Sequence, residues 1–175
     1  MSFIKDLKNI STIILDLDGV LTDGTVLVSE SGEQLRRMSI KDGYAIQLAA
    51  KMGYLLMVVS GGNSLTVVSR LEKLGFQEIH NGVKDKVETI ETLLKKHQKS
   101  WSEVLFMGDD IPDLAALSKS KIATCPADAS SEVKEISHYI SNLKGGEGCV
   151  RDVIEKVMRA NENWSNEFSQ YTRST

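Results

Sequence analysis

Short apolar runs alternate with longer amphipathic segments along most of the chain. The runs 55–59 and 104–107 are apolar without interruption, which is typical of strands covered on both faces. The pattern predicts strands at 12–17, 54–60, 77–80, 103–108, 121–124 and 138–141, and helices at 43–52, 64–74, 85–98, 112–119, 131–136 and 148–160. This alternation predicts an α/β fold, a doubly wound parallel sheet of the Rossmann-like kind.

Polar and glycine residues mark the expected ends of the first two helices. Asp42 and Ser64 are the expected N-caps, because short polar side chains accept hydrogen bonds from the free N–H groups of a first turn. Gly53 and Gly75 follow the same two segments, where a left-handed residue commonly ends a helix.

The segment between the first strand and the first helix breaks the alternation. Two short runs with apolar residues flank Glu30-Ser31-Gly32-Glu33, which predicts a β-hairpin turned at a glycine. We therefore expect one domain over residues 1–160 that carries a hairpin insertion at about 24–39.

A polar tail is expected at residues 161–175. Trp164, Phe168 and Tyr171 recur in it at helical spacing, which favours a helix docked on a neighbouring subunit. Its terminal position equally favours a frayed end, and the sequence leaves both alternatives open.

Composition describes an ordinary globular protein and excludes several classes of partner. The chain has 175 residues, of which 41% are hydrophobic and 26% charged, with a net charge of −3. Lysine and arginine are not clustered, so no nucleic-acid partner is expected. The two cysteines give no disulfide framework, and no apolar stretch is long enough for a membrane span or a signal peptide. We therefore expect a cytoplasmic protein without a membrane partner.

Asp16 and Asp18 are the most informative residues, because they end the first predicted strand and precede a glycine. Residues two apart on a strand project to the same side, roughly 6.5 Å apart. Two carboxylates at that spacing can bracket a phosphoryl group, one attacking phosphorus and the other transferring a proton. For these two residues alone, an acidic pair in a loop is an equally good interpretation.

Ser60 and Lys86 also follow predicted strands. Ser60 ends a buried run and precedes Gly61 and Gly62, so its hydroxyl and the backbone N–H groups of the turn can hold phosphate oxygens. Lys86 lies at the start of a predicted helix and can supply fixed positive charge to a phosphoryl group. Taken singly, Ser60 is weak evidence because Ser-Gly-Gly is a common turn, and Lys86 is better explained as a surface lysine.

Asp109, Asp110 and Asp113 follow another predicted strand. Three carboxylates this close repel one another unless a cation holds them, and hard oxygen ligands suit Mg²⁺. A solvated helix N-terminus, where the dipole favours acids, is the competing interpretation of Asp113. Because the carboxyl ends of parallel strands meet at one edge of a sheet, these clusters together predict a phosphate and divalent-metal site.

The spacing of these residues resembles that of the haloacid dehalogenase superfamily of phosphotransferases. The motifs that match are Asp16-x-Asp18-Gly19-Val20-x-Thr22, then Ser60, then Lys86, then Gly108-Asp109-Asp110-x-x-Asp113. The resemblance implies that Asp16 is the nucleophile and a Mg²⁺ ligand. It further implies that Asp18 is the general acid and base and ligates Mg²⁺ through its backbone carbonyl. Asp109 would complete the metal site with Asp110 and Asp113 in support, while Ser60 and Lys86 would bind the phosphoryl group.

Longer motifs are similar to those of the 3-deoxy-D-manno-octulosonate 8-phosphate phosphatase family, over about residues 10–157. They are Asp-Gly-Val-Leu-Thr-Asp-Gly at 18–24, Ser-Ile-Lys-Asp-Gly at 39–43, Gly-Val-Lys-Asp-Lys at 82–86, Pro-Ala-Asp-Ala at 126–129 and Gly-Gly-Glu-Gly-Cys-Val-Arg at 145–151. This resemblance implies Mg²⁺-dependent hydrolysis of a small phosphorylated keto-sugar acid through an aspartyl-phosphate. It also implies a hairpin in place of a cap domain and a homotetramer in which neighbours help to close the site.

The same resemblance implies which residues bind the substrate. The expected set is Asp18, Ser39, Ile40, Lys41, Asp42, Gly43, Gln47, Gly61, Gly62, Arg70 and Lys86. Of these, the stretch 39–43 with Gln47 and Arg70 would face the sugar acid, and the glycine-rich segment 145–148 would reach the site of a neighbouring subunit. Because little chain separates Asp18 from Ser60, one subunit would leave its site open unless a partner or a large substrate covered it.

Gly62 departs from the family pattern, which usually has arginine after the Ser-Gly pair. A phosphatase for a nine-carbon keto-sugar acid phosphate, whose family also lacks that arginine, is therefore an alternative. A phosphoacceptor signalling domain uses similar groups in a different order along the chain. A non-catalytic oligomerisation module of the same fold is the remaining alternative.

Overall fold

The computed structural model describes residues 3–63 and 65–164. The strands are β1 (Thr12–Leu15), β2 (Leu27–Val28), β3 (Gln34–Leu35), β4 (Leu55–Val59), β5 (Glu78–His80), β6 (Val104–Met107), β7 (Ile122–Cys125) and β8 (Tyr139–Ile140). Six of them form one parallel sheet in the order β5-β4-β1-β6-β7-β8. The predicted doubly wound α/β fold is confirmed, and each predicted strand of the sheet is present with its ends shifted by one or two residues.

Helices cover both faces of this sheet. They are α1 (Phe3–Leu7), α2 (Ile40–Lys51), α3 (Leu65–Leu74), α4 (Lys86–Lys96), α5 (Leu114–Lys119), α6 (Ser131–Ile136) and α7 (Cys149–Ala160). Alternate side chains of β1 enter the two apolar layers: Ile13 and Leu15 pack with α2 and α7, whereas Ile14 packs with α4 and α5. Among the described residues, no helix is long and apolar enough to cross a bilayer.

The ends of the helices agree only in part with the expected caps. Gly53 and Gly75 adopt positive φ of 86° and 95° after α2 and α3, as predicted. The N-cap of α2 is Ser39 rather than Asp42, because the Ser39 hydroxyl accepts the hydrogen bond from the Asp42 N–H at 3.3 Å. The helix therefore begins three residues earlier than predicted, and Ser64 lies outside the described residues.

The hairpin is present, with β2 and β3 paired antiparallel so that Leu27 lies opposite Leu35. Its turn contains Gly32 at a φ of 84°. The apolar side chains of the hairpin do not pack on their own subunit: Leu27 is 69% exposed, and Val26, Val28 and Leu35 are also exposed.

Trp164, which we assigned to the tail, belongs to the core. Its side chain is 1% exposed and meets the Tyr44 ring edge-on at 6.4 Å, with the Arg151 guanidinium 5.5 Å from its own ring. This packing within one chain was not among the two alternatives that we considered. Phe168 and Tyr171 lie outside the described residues.

Candidate active site

Four of the predicted site residues meet at the carboxyl edge of the sheet. Asp16 directly follows β1, Ser60 directly follows β4, Asp109 follows β6 after one glycine, and Lys86 is the first residue of α4. All four line one pocket of about 350 Å³. Parallel strands bring these residues together, because their carboxyl ends lie on the same edge of the sheet.

A wide turn over Leu17–Leu21 carries the chain out of β1. The Asp16 N–H donates to the Met107 carbonyl at 2.9 Å, which extends the sheet pairing up to the first aspartate. Gly19 has a φ of 86°, and a side chain there would collide with the Asp109 carboxylate. Only glycine readily adopts this positive φ and also leaves room for the Asp109 carboxylate, which explains the glycine after Asp18.

Gly145 and Gly146 support this turn from behind. A side chain at Gly145 would collide with the Gly19 carbonyl, and the Gly146 N–H donates to the Val20 carbonyl at 3.0 Å. We expected the segment 145–148 to reach a neighbouring subunit. Gly145 and Gly146 pack beneath the turn of their own chain, which their lack of side chains permits, and the contact of this segment with a neighbour stays a prediction.

Lys86 is a buried cation held between two carboxylates. Its Nζ lies 2.9 Å from Asp16 Oδ1 and 2.6 Å from Asp113 Oδ1. Burial alone would lower the pKa of Lys86, but the charges of Asp16 and Asp113 raise it above its ordinary value. The other oxygen of Asp113 accepts from the Asp109 N–H at 3.0 Å. Asp113 therefore orients both the lysine and the backbone of Asp109.

Negative charge exceeds positive charge in this pocket. Oxygens of Asp16, Asp109 and Asp113 all lie within 4.8 Å of one another. Burial, with the charge of Asp113 added, raises the pKa of Asp16 to about 6 despite the opposing effect of Lys86. Burial and the Asp16 charge raise the pKa of Asp109 to about 7. Hard oxygen donors that repel one another in this way suit a divalent cation such as Mg²⁺.

Asp18 does not lie beside Asp16 as an extension of the strand. The strand ends at Leu15, so the spacing argument for Asp18 is wrong, and its side chain lies on the turn at the pocket wall. There Arg36 of the hairpin binds it through Nε to Oδ1 at 2.6 Å and Nη2 to Oδ2 at 3.3 Å. Sequence reasoning missed Arg36, whose only signal is a basic pair after the second hairpin strand.

Ser60 and the following glycines form another part of the pocket wall. The Ser60 side chain is buried, and its Oγ accepts from the Gly62 N–H at 3.1 Å, which fixes the turn. A Cβ atom at Gly62 would lie 2.8 Å from Asp18 Oδ2. The glycine at this position therefore leaves space that the Asp18 carboxylate occupies.

Seven residues expected to face the sugar acid do not line this pocket: Ser39, Ile40, Lys41, Asp42, Gly43, Gln47 and Arg70. Asp42 is 1% exposed, and its Oδ1 accepts from the Arg151 N–H at 2.7 Å, so it caps the first turn of α7. Gln47 donates to the Lys73 carbonyl at 3.4 Å. Lys41 lines a separate groove of about 500 Å³ along α7. Within a single chain these residues of α2, its N-cap and α3 therefore lie outside the pocket, and their contact with the sugar acid stays a prediction.

The comparisons with known proteins agree with this geometry. A family model described as haloacid dehalogenase-like hydrolase matches residues 64–152. The 3-deoxy-D-manno-octulosonate 8-phosphate phosphatase KdsC of Escherichia coli K12 is 30% identical over 153 residues, which cover 87% of this chain and 81% of that protein. The chain belongs to the haloacid dehalogenase-like hydrolases. It is a phosphatase of that family, that is, a phosphoric monoester hydrolase.

Solved structures resemble this hydrolase over nearly its whole length. A probable YrbI family phosphatase from Pseudomonas syringae matches with a TM-score of 0.95 and 30% identity, covering 98% of each chain. The 3-deoxy-D-manno-octulosonate 8-phosphate phosphatase of Moraxella catarrhalis, in complex with magnesium, phosphate and KDO, matches with a TM-score of 0.93 and 28% identity over 96% of this chain and 97% of that one. The comparisons therefore favour a phosphatase over the two other interpretations of the sequence, a phosphoacceptor signalling domain and a non-catalytic oligomerisation module.

Proposed function

We propose that this phosphatase hydrolyses 3-deoxy-D-manno-octulosonate 8-phosphate to the free sugar acid and phosphate, with Mg²⁺ as cofactor and a phosphorylated Asp16 as intermediate. The convergence of Asp16, Lys86 and Asp109 on one pocket carries the proposal. The names of its relatives, and the magnesium, phosphate and KDO in the Moraxella complex, support the choice of substrate and metal.

The reaction has two halves. In the first, a carboxylate oxygen of Asp16 forms a bond to phosphorus while the bond to the sugar oxygen breaks, and Asp18 gives its proton to that oxygen. In the second, water attacks the phosphorus of the acyl phosphate and Asp18 takes a proton from it. Asp16 is then released as a carboxylate together with inorganic phosphate, and both aspartates return to their starting states.

Fixed positive charge assists both halves. Lys86 lies 2.9 Å from Asp16 Oδ1, where it lowers the pKa of the nucleophile against the effect of burial and faces the incoming phosphoryl group. The Ser60 hydroxyl and the turn at Gly61 provide polar groups on the adjacent wall. Asp113 keeps the lysine in place, so it acts on the reaction through Lys86.

The acidic cluster fits the proposed metal. Asp16 and Asp109 would hold Mg²⁺, with the backbone carbonyl of Asp18 as the further ligand that the family resemblance implies. Asp113 is close enough to contribute but is already paired with Lys86. When bound, the ion would neutralise charge on the phosphoryl oxygens during transfer. The raised pKa values of Asp16 and Asp109, caused first by burial and then by neighbouring carboxylates, support a site that a bound cation would stabilise.

Gly62 favours a second candidate substrate, the phosphate of a nine-carbon keto-sugar acid. In the family resemblance an arginine usually occupies this position, whereas here the space above Gly62 holds the Asp18 carboxylate. The pocket wall therefore lacks one cation beside the sugar acid. By the same resemblance, the phosphatases that act on nine-carbon keto-sugar acid phosphates also lack this arginine.

We also propose a homotetramer. The exposed apolar hairpin at Leu27, Val28 and Leu35 supports association, because apolar side chains at this density favour burial against another chain. Residues 39–43 would then act on a neighbouring site rather than their own. Light scattering of the purified protein tests the proposal: a mass of four chains is expected, and a monomer at micromolar concentration contradicts it.

A panel of phosphorylated keto-sugar acids tests the function, with released phosphate as the readout. We expect the eight-carbon ester to be hydrolysed with the highest kcat/KM, only with Mg²⁺ present, while Asp16→Asn loses at least about 1,000-fold in kcat and keeps the thermal midpoint of the wild type to within a few degrees. Preference for the nine-carbon ester would support the second candidate. Turnover by Asp16→Asn at the wild-type rate would refute the assigned nucleophile.

A further inference from the structure

Arg36 is the residue closest to Asp18 that carries an opposite charge. Its guanidinium binds both carboxylate oxygens, with Nε 2.6 Å from Oδ1 and Nη2 3.3 Å from Oδ2. The side chain of Arg36 is only 6% exposed, although it belongs to an otherwise exposed hairpin. Paired contacts of this kind fix the plane of a carboxylate as well as its position.

The backbone next to Arg36 is itself anchored to the catalytic turn. Met38, two residues on, forms an isolated antiparallel bridge with Thr22, and the Thr22 N–H donates to the Leu17 carbonyl at 3.0 Å. The hairpin base and the turn that carries Asp18 are therefore one connected unit. Backbone hydrogen bonds therefore fix the position from which the Arg36 side chain reaches Asp18.

The neighbouring Arg37 shows that the contact of Arg36 is specific. Arg37 is 72% exposed, and its Nε lies 2.9 Å from Asp23 Oδ2 at the outer side of the hairpin base. Two adjacent arginines that follow the second hairpin strand thus carry the same charge in opposite directions. Arg36 binds Asp18, the proposed general acid and base, whereas Arg37 lies toward solvent.

The two oxygens of Asp18 are bound unequally. Oδ1 takes the short contact from Arg36, whereas Oδ2 has the longer one and lies at the pocket wall beside Gly62, where a Cβ atom would come within 2.8 Å of it. Oδ2 is thus the more weakly held of the two oxygens. The glycine at position 62 provides the space that this orientation needs, because a side chain there would collide with Oδ2.

We infer that Arg36 is a positioning residue that holds Asp18 Oδ2 toward the ester oxygen of the bound substrate. The inference rests on the proposed role of Asp18 as the acid and base. Arg36 holds Oδ1 through its shorter contact, so that Oδ2, which has the longer contact, can exchange it for a proton and give that proton to the ester oxygen. A proton donor displaced by about 1 Å can lose on the order of 100-fold in rate, so the hairpin controls the protonation step without touching the phosphoryl group.

Leaving-group dependence distinguishes positioning of an acid from substrate binding. Single-turnover cleavage is measured with enzyme in excess on two esters, 3-deoxy-D-manno-octulosonate 8-phosphate and p-nitrophenyl phosphate. The first releases a primary alkoxide, which needs a proton, and the second releases nitrophenolate, which does not. Arg36→Met is expected to slow cleavage of the sugar ester about 10- to 100-fold and cleavage of the nitrophenyl ester less than about 3-fold. Arg37→Met, which removes the adjacent charge, is expected to change neither rate more than about 2-fold.

Two further variants keep the test decisive if Arg36→Met fails to fold. Arg36→Lys keeps the charge with one contact instead of two, and is expected to recover part of the lost rate on the sugar ester. Gly62→Ala pushes Oδ2 aside while keeping Arg36, and is expected to show the same selective loss, whereas Gly61→Ala meets only an ordinary contact at 3.7 Å and should lose less. Equal losses on both esters, a change confined to KM, or no change in all these variants would overturn the inference.

A double-variant cycle separates this inference from the proposed function. If Arg36 acts through Asp18, then adding Arg36→Met to Asp18→Asn slows the sugar ester no further than Asp18→Asn alone. Additive losses would overturn the positioning role. If Asp18→Asn itself cleaves the sugar ester at the wild-type rate, the proposed function fails; if only the Arg36 variants are silent, the proposed function stands and this inference fails.

Discussion

Two of the charged clusters in this molecule contain buried acids, and their charge balance is opposite. The first surrounds Glu78 on β5, at the edge of the sheet. Glu78 Oε1 lies 2.6 Å from both Lys96 Nζ and His97 Nε2, and Oε2 lies 3.0 Å from His80 Nε2. Burial raises its pKa, but the hydrogen bonds from Lys96, His97 and His80 outweigh burial and lower the pKa to about 2.

The second group is the acidic cluster of the candidate active site. Here Lys86 is shared by Asp16 and Asp113, and among the described residues no side chain forms an ion pair with Asp109. Burial and mutual repulsion raise the pKa of Asp16 to about 6 and that of Asp109 to about 7. The same residue type is therefore stabilised as an anion in one place and disfavoured as an anion in the other.

The difference separates a structural cluster from a functional one. Glu78 contacts Lys96, His97 and His80 of its own chain, so its charge contributes to folding and needs no bound ligand. The cluster at the strand ends has more negative than positive charge, which costs stability until a cation supplies the difference. A carboxylate with an unfavourable environment is thus a better indicator of function here than the presence of acids alone.

Of the variants that test this comparison, Asp109→Asn should have the largest effect. We expect kcat/KM to fall at least about 100-fold, because the proposed metal loses a ligand. Without divalent cation at pH 7, the variant should be more stable than the wild type by about 1 kcal/mol, a rise of about 2–4 °C in Tm, because repulsion within the cluster is relieved. Differential scanning calorimetry with and without Mg²⁺ checks both effects. A variant less stable than the wild type in the absence of metal would contradict the account of repulsion.

The pH dependence of the metal-free protein provides a control for that variant. Asp16 and Asp109 have folded-state pKa values above their ordinary value of 3.8, so the folded state binds more protons than the unfolded state between about pH 4 and 7. Their contribution to stability therefore decreases as the pH rises through this window. Asp109→Asn should show a shallower decrease, and saturating Mg²⁺ should remove most of it.

Glu78→Gln should change stability in the opposite direction and leave turnover unchanged. Its folded-state pKa lies below the ordinary value of 4.5, so its stabilising contribution is complete above about pH 4.5 and is lost as the pH falls toward about 2. We expect the variant to lose about 1–2 kcal/mol at pH 7, a figure reduced for solvent screening at the sheet edge, and to unfold with less dependence on acid. Urea titrations at pH 7 and pH 3 measure this change.

Glu91 offers a matched control for Glu78. It lies on α4 and pairs with Lys119 at 2.6 Å, but both side chains are about half exposed. Glu91→Gln should leave both stability and turnover nearly unchanged. Equal destabilisation by the two variants, or loss of phosphatase activity in Glu78→Gln, would show that the Glu78 cluster is not the purely structural group described above.

The sequence predicts the strand ends well because the apolar runs that form β1, β4 and β6 are buried on both faces and have few alternatives. Asp16 and Asp109 follow such runs directly, so their convergence could be predicted from strand order alone. Asp18 could not, because the chain leaves the strand before it and the direction of the turn depends on Gly145 and Gly146, far along the sequence.

Contacts between distant segments also decide the direction of the hairpin side chains and the start of α2. Whether Arg36 or Arg37 faces the pocket depends on the twist and anchoring of two-residue strands, which an amino-acid pattern of this length does not specify. Ser39 and Asp42 are both good capping residues, and the choice between them is decided by the contact of Asp42 with the Arg151 N–H in α7. Such contacts between distant segments are the part of the site that only the fold reveals.

The glycines beneath the catalytic turn have a consequence for biosynthesis. Gly145 and Gly146 support the Gly19 turn, and the adjoining Cys149 contacts the Val20 carbonyl at 3.4 Å. A nascent polypeptide on the ribosome therefore lacks the support beneath its catalytic turn until Gly146 has been translated, about 130 residues after Asp16. Chemistry at Asp16 must wait for a segment that is synthesised much later.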